Sequence, residues 1–370
     1  MVSGTNDENK VGDGAASGGQ RAYIGSFTSA GGWGVSAATV EPDSGALTIK
    51  YSTDLVENPS YLAIHEHGVL YAVSETPEGY AAAFSLTDPD RPTPLGVPAL
   101  SGGDDPTHIS LTPRHALLAH YTSGSVSALP FMKDPEGHDQ WCGLARPTDV
   151  QQHEGAGADP ERQEGPHAHA VLVDPSGRWV LAVDLGADAV FSYAWDEERG
   201  TLRPHHTTRL APGSGPRSLA FHPGGQWAYV TAELDSTVTV CRWDAETGTL
   251  TPGATISVLP AVDGDDQPRN YPSELVIAPD GRHAWVANRG HDTIAVLGLD
   301  ETGERVELKT TVACGGRWPR HLTVSPAGNR LYVANEHSGN VAWFDVDTQT
   351  GVPTWAGSVD APAASCVVLA

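Results

Sequence analysis

The chain alternates short apolar runs with clusters of Gly, Pro and Asp. In "GPHAHAVLVDPSGRWVLAVDLGADAV" (165–190) one apolar run ends at an Asp-Pro turn, a Gly follows, and a second apolar run begins. No 3.6-residue periodicity is sustained anywhere, and 41 Gly and 28 Pro are spread along 370 residues. β-Branched and aromatic runs bounded by turn residues predict strands. The chain therefore reads as all-β, with length for one large domain or two ordinary ones.

The strand pattern repeats. The segment "GPRSLAFHPGGQWAYVTAELDSTVTVCRWDAETGTL" (215–250) recurs as "YPSELVIAPDGRHAWVANRGHDTIAVLGLDETG" (271–303) and "WPRHLTVSPAGNRLYVANEHSGNVAWFDVDTQTG" (318–351). Earlier copies are "NPSYLAIHEHGVLYAVSETPEGYAAAFSL" (58–86), "DPTHISLTPRHALLAHYTSGSVSAL" (105–129) and the stretch at 165–190, where Ala168 replaces the leading Pro. The anchors at 59, 106, 168, 216, 272 and 319 are 47, 62, 48, 56 and 47 residues apart. Each unit predicts four strands, which is a propeller blade. Residues 21–49 supply three strands without an inner one, and "APAASCVVLA" (361–370) supplies an inner strand with nothing after it. Joined, they make a seventh blade and leave no exposed sheet edge. The expectation is a seven-bladed β-propeller of four-stranded blades in a single domain over 21–370, closed by its termini, after a disordered tail at 1–20. Residues 133–164, polar and rich in Gly and Pro, read as a long loop inserted before the fourth blade.

In a four-stranded meander, the start of the inner strand and the turn between strands two and three lie on one face. The first residues after the anchors are Ser60, Thr107, His169, Arg217, Ser273, Arg320 and, in the split blade, Ala363. Strand two ends in the pairs Ser74-Glu75, His120-Tyr121, Asp184-Leu185, Ala232-Glu233, Asn288-Arg289 and Asn335-Glu336. The first member of each pair suits turn capping. The second varies freely in charge, so the blade does not dictate it. His169, Arg217, Glu233, Arg289 and Arg320 thus converge on the mouth of the central channel, with His120 and His321 facing the channel by the same geometry. Taken singly, each has a plain structural reading, as a surface ion pair worth little or a turn histidine. Their convergence is what points to a site.

Charge narrows the choice of ligand. Lys plus Arg number 22 and Asp plus Glu 46, a net −24. Nucleic acid and anionic membrane are excluded as partners, since both require a basic footprint. An anionic small molecule needs locally placed cations, which the channel mouth has. A metal site would need His167, His169 and His120 together, and the arginines there would repel a cation; no metal and no cofactor is expected. The four cysteines, Cys142, Cys241, Cys314 and Cys366, are far apart in sequence, which reads as a reduced, cytoplasmic chain. The first 20 residues lack the apolar core of a signal peptide, and no stretch reaches transmembrane length.

The segments "QQHEGAGADPERQEGPHAHA" (151–170), "GSGPRSLAFHPGGQWAYVTAELDSTVTV" (213–240), "PSELVIAPDGRHAWVANRGHDTIAV" (272–296) and "GGRWPRHLTVSPAGNRLYVAN" (315–335) resemble the lactonase family of seven-bladed propellers. That family includes cycloisomerase-type 6-phosphogluconolactonases and fungal carboxymuconate-lactonizing enzymes. The resemblance runs from Arg21 to the C-terminus. Trp-Asp pairs occur at 195–196 and 243–244, but without the Gly-His partner of WD40 repeats. The resemblance implies a metal-free site built from a His in the "PHxH" stretch, an Arg after "GP", the Glu of "NEL" and the Arg of "NRG". Here these are His169 (His167 being the other choice), Arg217, Glu233 and Arg289. His167, Arg320, His321, His120 and Glu75 are further substrate-contact candidates. Ser218 and Ala232 depart from the family's "GPRH" and "NEL", and His120 stands where Asn is usual; these changes bear on the substrate rather than the fold.

The implied reaction is hydrolysis of a sugar lactone such as 6-phosphogluconolactone. Arg217 and Arg289 would hold the anion, and Glu233 and His169 would divide the acid and base roles. Run in the closing sense, the same groups would serve a cycloisomerase of a specialised acid. A non-enzymatic scaffold is the alternative from another class, since one fold hosts many functions; it would show an exposed aromatic patch, for which Trp33, Trp141, Trp318 and Trp355 are available. The expected partner is a small anionic lactone or carboxylate, for a monomer or dimer.

Overall fold

A computed structural model describes residues 19–133, 141–261 and 269–370. Residues 1–18 of the tail expected over 1–20, and residues 134–140 of the expected loop, lie outside the described residues.

Seven sheets stand around one axis, each an antiparallel meander. The split blade is here blade 1. Its inner strand, Ala364–Leu369, pairs with Arg21–Ser26, which is followed by Val35–Val40 and Leu47–Thr53. The register runs from Ala22 opposite Leu369 to Gly25 opposite Cys366, so both termini are hydrogen-bonded into one sheet. Blades 2 to 7 follow in chain order.

Second strands are buried on both faces: every residue of Val69–Ser74 and of His115–His120 is buried. Outer strands are largely open to solvent, as in Pro353–Asp360, where only Pro353 is buried. Both patterns follow from packing blades face to face while the rim stays wet. The core is seven apolar clusters, one at each blade interface. An aromatic on the second strand ties many of these interfaces to the next blade's outer turn. Tyr229 donates to the carbonyl of Gly303 (2.7 Å), Trp285 to Gly351 (2.8 Å), Trp179 to Ala245 (2.9 Å), Tyr332 to Gly45 (3.0 Å) and Tyr23 to Pro89 (3.0 Å). Buried Tyr and Trp need such an acceptor for their polar ends.

One expectation is corrected. The insertion is not a single loop: Trp141–Leu144 and Asp149–Gln152 both pair with Ser125–Lys133 and form the outer strand of blade 3. Its second half, 153–166, crosses the face that carries the channel mouth.

Candidate active site

Six of the seven inner strands begin with the same local device. The ladder with strand two skips one residue: Thr107, His169, Arg217, Arg320 and Ser365 each fall in such a shift, and blade 6 skips Ser273 and Glu274. A β-bulge of this kind re-aims a side chain, here into the axial channel. The residue before the anchor often takes a left-handed conformation, at Asn58 (φ 46), Asp105 (φ 50), Gly215 (φ 62), Trp318 (φ 62) and Ala363 (φ 50). Its carbonyl then accepts the backbone N–H of Glu75, Tyr121, Glu233, Glu336 or Phe27, the residue after strand two. At Gly215 a Cβ would sit 2.4 Å from Leu234 Cγ, so the close approach of that side chain favours glycine here beyond the backbone conformation. This repeat corrects the split blade: Ser365, not Ala363, is the ring residue there, and Ala363 supplies the turn.

The ring brings His169, Arg217, Glu233, Arg289 and Arg320 together as expected. Glu233, 3 % exposed, is the hub. Its Oε2 accepts from Arg289 Nη2 at 2.5 Å and lies 3.2 Å from Arg217 Nε. Its Oε1 accepts from Arg162 Nη2 at 2.7 Å. Burial by itself would raise this carboxyl, but Arg289, Arg217 and Arg162 hold it far below the usual range, so Glu233 is an anion. Arg217 is less well served. Its Nε is close to Glu233 but misaligned, leaving a buried donor with no hydrogen bond. Burial, then Arg289 beside it, lowers Arg217 to about 9, still cationic at neutral pH. Arg289 is anchored by Nε to the Tyr271 carbonyl (3.0 Å) and lies over the Trp318 ring, 5.6 Å from its centre. Trp318 stacks in turn on His337.

His169 is buried, and burial, then Arg217, pushes its imidazole well below the ordinary value, so it is neutral. Tyr121 meets it edge-on at 5.7 Å. His167 lies flat on Tyr121 at 4.5 Å, with Nδ1 2.9 Å from the Tyr121 carbonyl and Nε2 3.3 Å from Glu164. It therefore stands behind Tyr121, and His169 is the histidine of the ring.

Arg320 belongs to a separate network. It lies 3.4 Å from Glu75 and 3.7 Å from Glu336, with Phe27 under its guanidinium. Glu75 is thus paired rather than free, and burial raises its carboxyl against the pull of Arg320.

Two candidates move. His120 does not face the channel: it is fully buried in its blade, with Nδ1 3.1 Å from the Ser125 carbonyl, and burial lowers it to about 4. It is the capping member of its pair, and Tyr121 is the one that faces the site. His321 sits one layer beneath the ring, edge-on to Tyr61, lowered by burial to about 3. That second layer also holds His108 and Glu274, and with His169, Arg217 and Arg320 it encloses a cavity of about 10 Å³, room for roughly one water. Burial raises Glu274 to about 7 against the pull of Arg217.

Sequence reasoning missed Arg162, Tyr121 and Glu274. Tyr121 shares the register of Glu233 and Arg289, and that signal was available. Glu274 follows a ring position by one residue. Arg162 is carried by the insertion, which has no counterpart in other blades. A larger hollow of about 830 Å³ between the rims of blades 6 and 7, lined by Arg305, Lys309 and Gln349, holds none of these groups. Among the described residues, no group of three His, Cys, Asp or Glu is placed to hold a metal ion.

The family model for lactonases of the seven-bladed β-propeller type matches residues 21–369. The chain belongs to that family. It is 31% identical over 350 residues to the 6-phosphogluconolactonase of Bacillus subtilis, covering 93% of this chain and 97% of the relative. The periplasmic gluconolactonase of Pseudomonas aeruginosa superposes with a TM-score of 0.85 at 27% identity, over 95% of this chain and 98% of that one. A protein from Lactobacillus plantarum gives 0.86 at 27%, over 95% and 99%. The all-β seven-bladed fold and the lactonase class implied by the sequence segments are those of the family. Among the described residues, no helix is long and apolar enough to cross a membrane.

Proposed function

We propose that this chain hydrolyses a sugar lactone, with 6-phosphogluconolactone as the leading substrate, at His169, Arg217, Glu233 and Arg289 and without a metal ion. The observation that carries the reading is Arg217: a buried guanidinium whose Nε–H, 3.2 Å from Glu233 Oε2 but misaligned with it, makes no hydrogen bond among the described residues. Such a group is costly unless a ligand completes it, and the ligand it calls for is an oxygen bearing negative charge. The relatives named for lactones of gluconate and 6-phosphogluconate support the same substrate class.

The neutral imidazole of His169 accepts a proton from water as the water oxygen attacks the lactone carbonyl carbon. The carbonyl electron pair moves onto oxygen, where Arg217 and Arg289 stabilise it. Collapse breaks the bond to the ring oxygen, and that alkoxide takes the proton back from the imidazolium. Burial, and then Arg217, makes His169 a weak base and its protonated form a strong acid, which suits this return. The new carboxylic acid then ionises and releases one proton to solution. Glu233 stays ionised throughout and fixes the arginines. A carboxyl held so far down donates no proton, so the acid role in this reading falls to His169. A cytoplasmic setting goes with this reading, supported by the free, buried Cys241, Cys314 and Cys366, although the Pseudomonas relative is periplasmic.

Proton release in weak buffer at neutral pH tests it, with gluconolactone and 6-phosphogluconolactone as substrates. Turnover above the spontaneous rate is expected, falling at least about 100-fold in Arg289→Ala, the order seen when one oxyanion donor is removed. A wild type with no activity on any lactone would overturn the reading.

A further inference from the structure

We propose that Arg162, on the insertion that crosses the channel mouth, is a specificity-determining residue that binds a phosphate carried by the lactone at a distance from its carbonyl. The proposal rests on the lactonase reading and adds what selects the substrate. Arg162 spends one nitrogen, Nη2, on Glu233 Oε1 (2.7 Å) and the Tyr121 hydroxyl (3.2 Å). No other side-chain nitrogen of Arg162 has a hydrogen bond among the described residues. Its side chain is 30% exposed, against 5% for Arg217 and 7% for Arg289. It therefore presents an open guanidinium edge on the solvent side of a buried cluster. Tyr121, accepting from Arg162, keeps its own O–H to offer to the same ligand.

Charge decides the class of ligand. Three arginines, Arg162, Arg217 and Arg289, contact one carboxylate, Glu233; Glu336 acts on Arg289 and Glu274 on Arg217 from farther off, and the cluster keeps a positive excess. Glu164, another acid of the insertion, is exposed and turned to His167. A neutral sugar lactone would leave that excess unanswered. A phosphate monoester carries roughly −1.5 to −2 at neutral pH and answers it. Guanidinium is also the side chain whose fork fits phosphate oxygens.

The insertion holds this arginine in place before any ligand arrives. Gln163, 1% exposed, donates to the Leu185 carbonyl (2.8 Å) and Asp188 (2.7 Å) and accepts from Asp159 N–H (3.0 Å). The Asp159 carboxylate accepts the backbone N–H groups of Glu161 and Arg162, at 2.9 and 3.1 Å. The neighbour of Arg162 is thus a buried plug, and the guanidinium is pre-oriented.

Kinetics of Arg162→Met and Arg162→Lys, with 6-phosphogluconolactone and gluconolactone side by side, test this. The preference for the phosphorylated lactone in kcat/KM should fall at least about 10-fold in Arg162→Met, mainly through KM, and recover in part in Arg162→Lys; a charge-assisted hydrogen bond is of that order. Equal loss on both lactones would overturn the proposal, because Arg162 would then only support Glu233. Titration calorimetry with 6-phosphogluconate and gluconate gives an independent readout. If the wild type turns over neither lactone but still binds the phosphorylated acid more tightly, and Arg162→Met removes the difference, the Arg162 assignment stands while the hydrolytic reading falls. Equal binding of the two acids by wild type would overturn the Arg162 assignment.

Discussion

The two halves of the channel mouth are built from the same blade positions and reach opposite electrostatic states. On blades 7, 1 and 2, Arg320 lies between Glu75 and Glu336 and above Phe27, so its charge is answered within the protein. On blades 4, 5 and 6, Glu233 answers three arginines, and Arg217 keeps an unbonded donor. Arg320 and Arg217 occupy the same bulge, one residue after an anchor Pro. The scaffold presents the side chain in both cases. The neighbours, two acids in one half and one acid shared among cations in the other, decide whether it closes the ring or waits for a ligand. A buried pair is poor evidence of added stability, but removing one partner is expensive, and that asymmetry makes the contrast measurable.

The largest effect is expected at Arg217. Arg217→Met removes the unsatisfied cation and leaves Glu233 paired with Arg162 and Arg289. Lactone turnover should fall by about 1,000-fold, the upper range for one preorganised donor, while the melting temperature changes little or rises. A large fall in melting temperature would mean that Arg217 is structural and would erase the contrast.

Arg320→Met probes the other half. It leaves Glu75 and Glu336 facing each other without their cation, a loss of about 3 kcal/mol for a buried pair, less what partial exposure returns. Denaturant unfolding should show that destabilisation, and kcat/KM should move less than about 10-fold. A loss of activity comparable with that of Arg217→Met would show the two halves to be one functional unit.

The smallest effect concerns the layer below. Glu274 is raised to about 7 in the fold and lies near 4.5 when unfolded. Between those values the native state holds the extra proton, so stability falls as pH rises across this window. Glu274→Gln removes the term. The stability of the variant relative to wild type should therefore rise from pH 5 to pH 8, by at most about 3 kcal/mol. Parallel stability curves would show that Glu274 is not buried beneath Arg217 as described.

How much of this was legible in the chain differs by residue. The blade count and the closure by 361–370 followed from the repeat, because each unit must place apolar residues on both faces of its inner strands. Arg217, Glu233 and Arg289 followed because they break the repeat where packing dictates nothing. His120 was misplaced by one position, since the pair it belongs to has one capping and one facing member, and only the backbone shows which. Ala363 was misplaced for a similar reason: Pro362 imitates an anchor, but the left-handed turn falls on Ala363 and moves the ring to Ser365.

By itself, then, the sequence determined the period of the strands, the number of blades and the cations that the blades themselves carry at the mouth, Arg217, Arg289 and Arg320, because these are local properties repeated often enough to read. It did not determine which acid pairs with which arginine. Glu75 and Arg320 are 245 residues apart, and Arg162 reaches Glu233 from an insertion with no register. Those pairings depend on closure of the ring and on the path of one loop, and electrostatic energy depends on distances in space, which only the folded chain fixes.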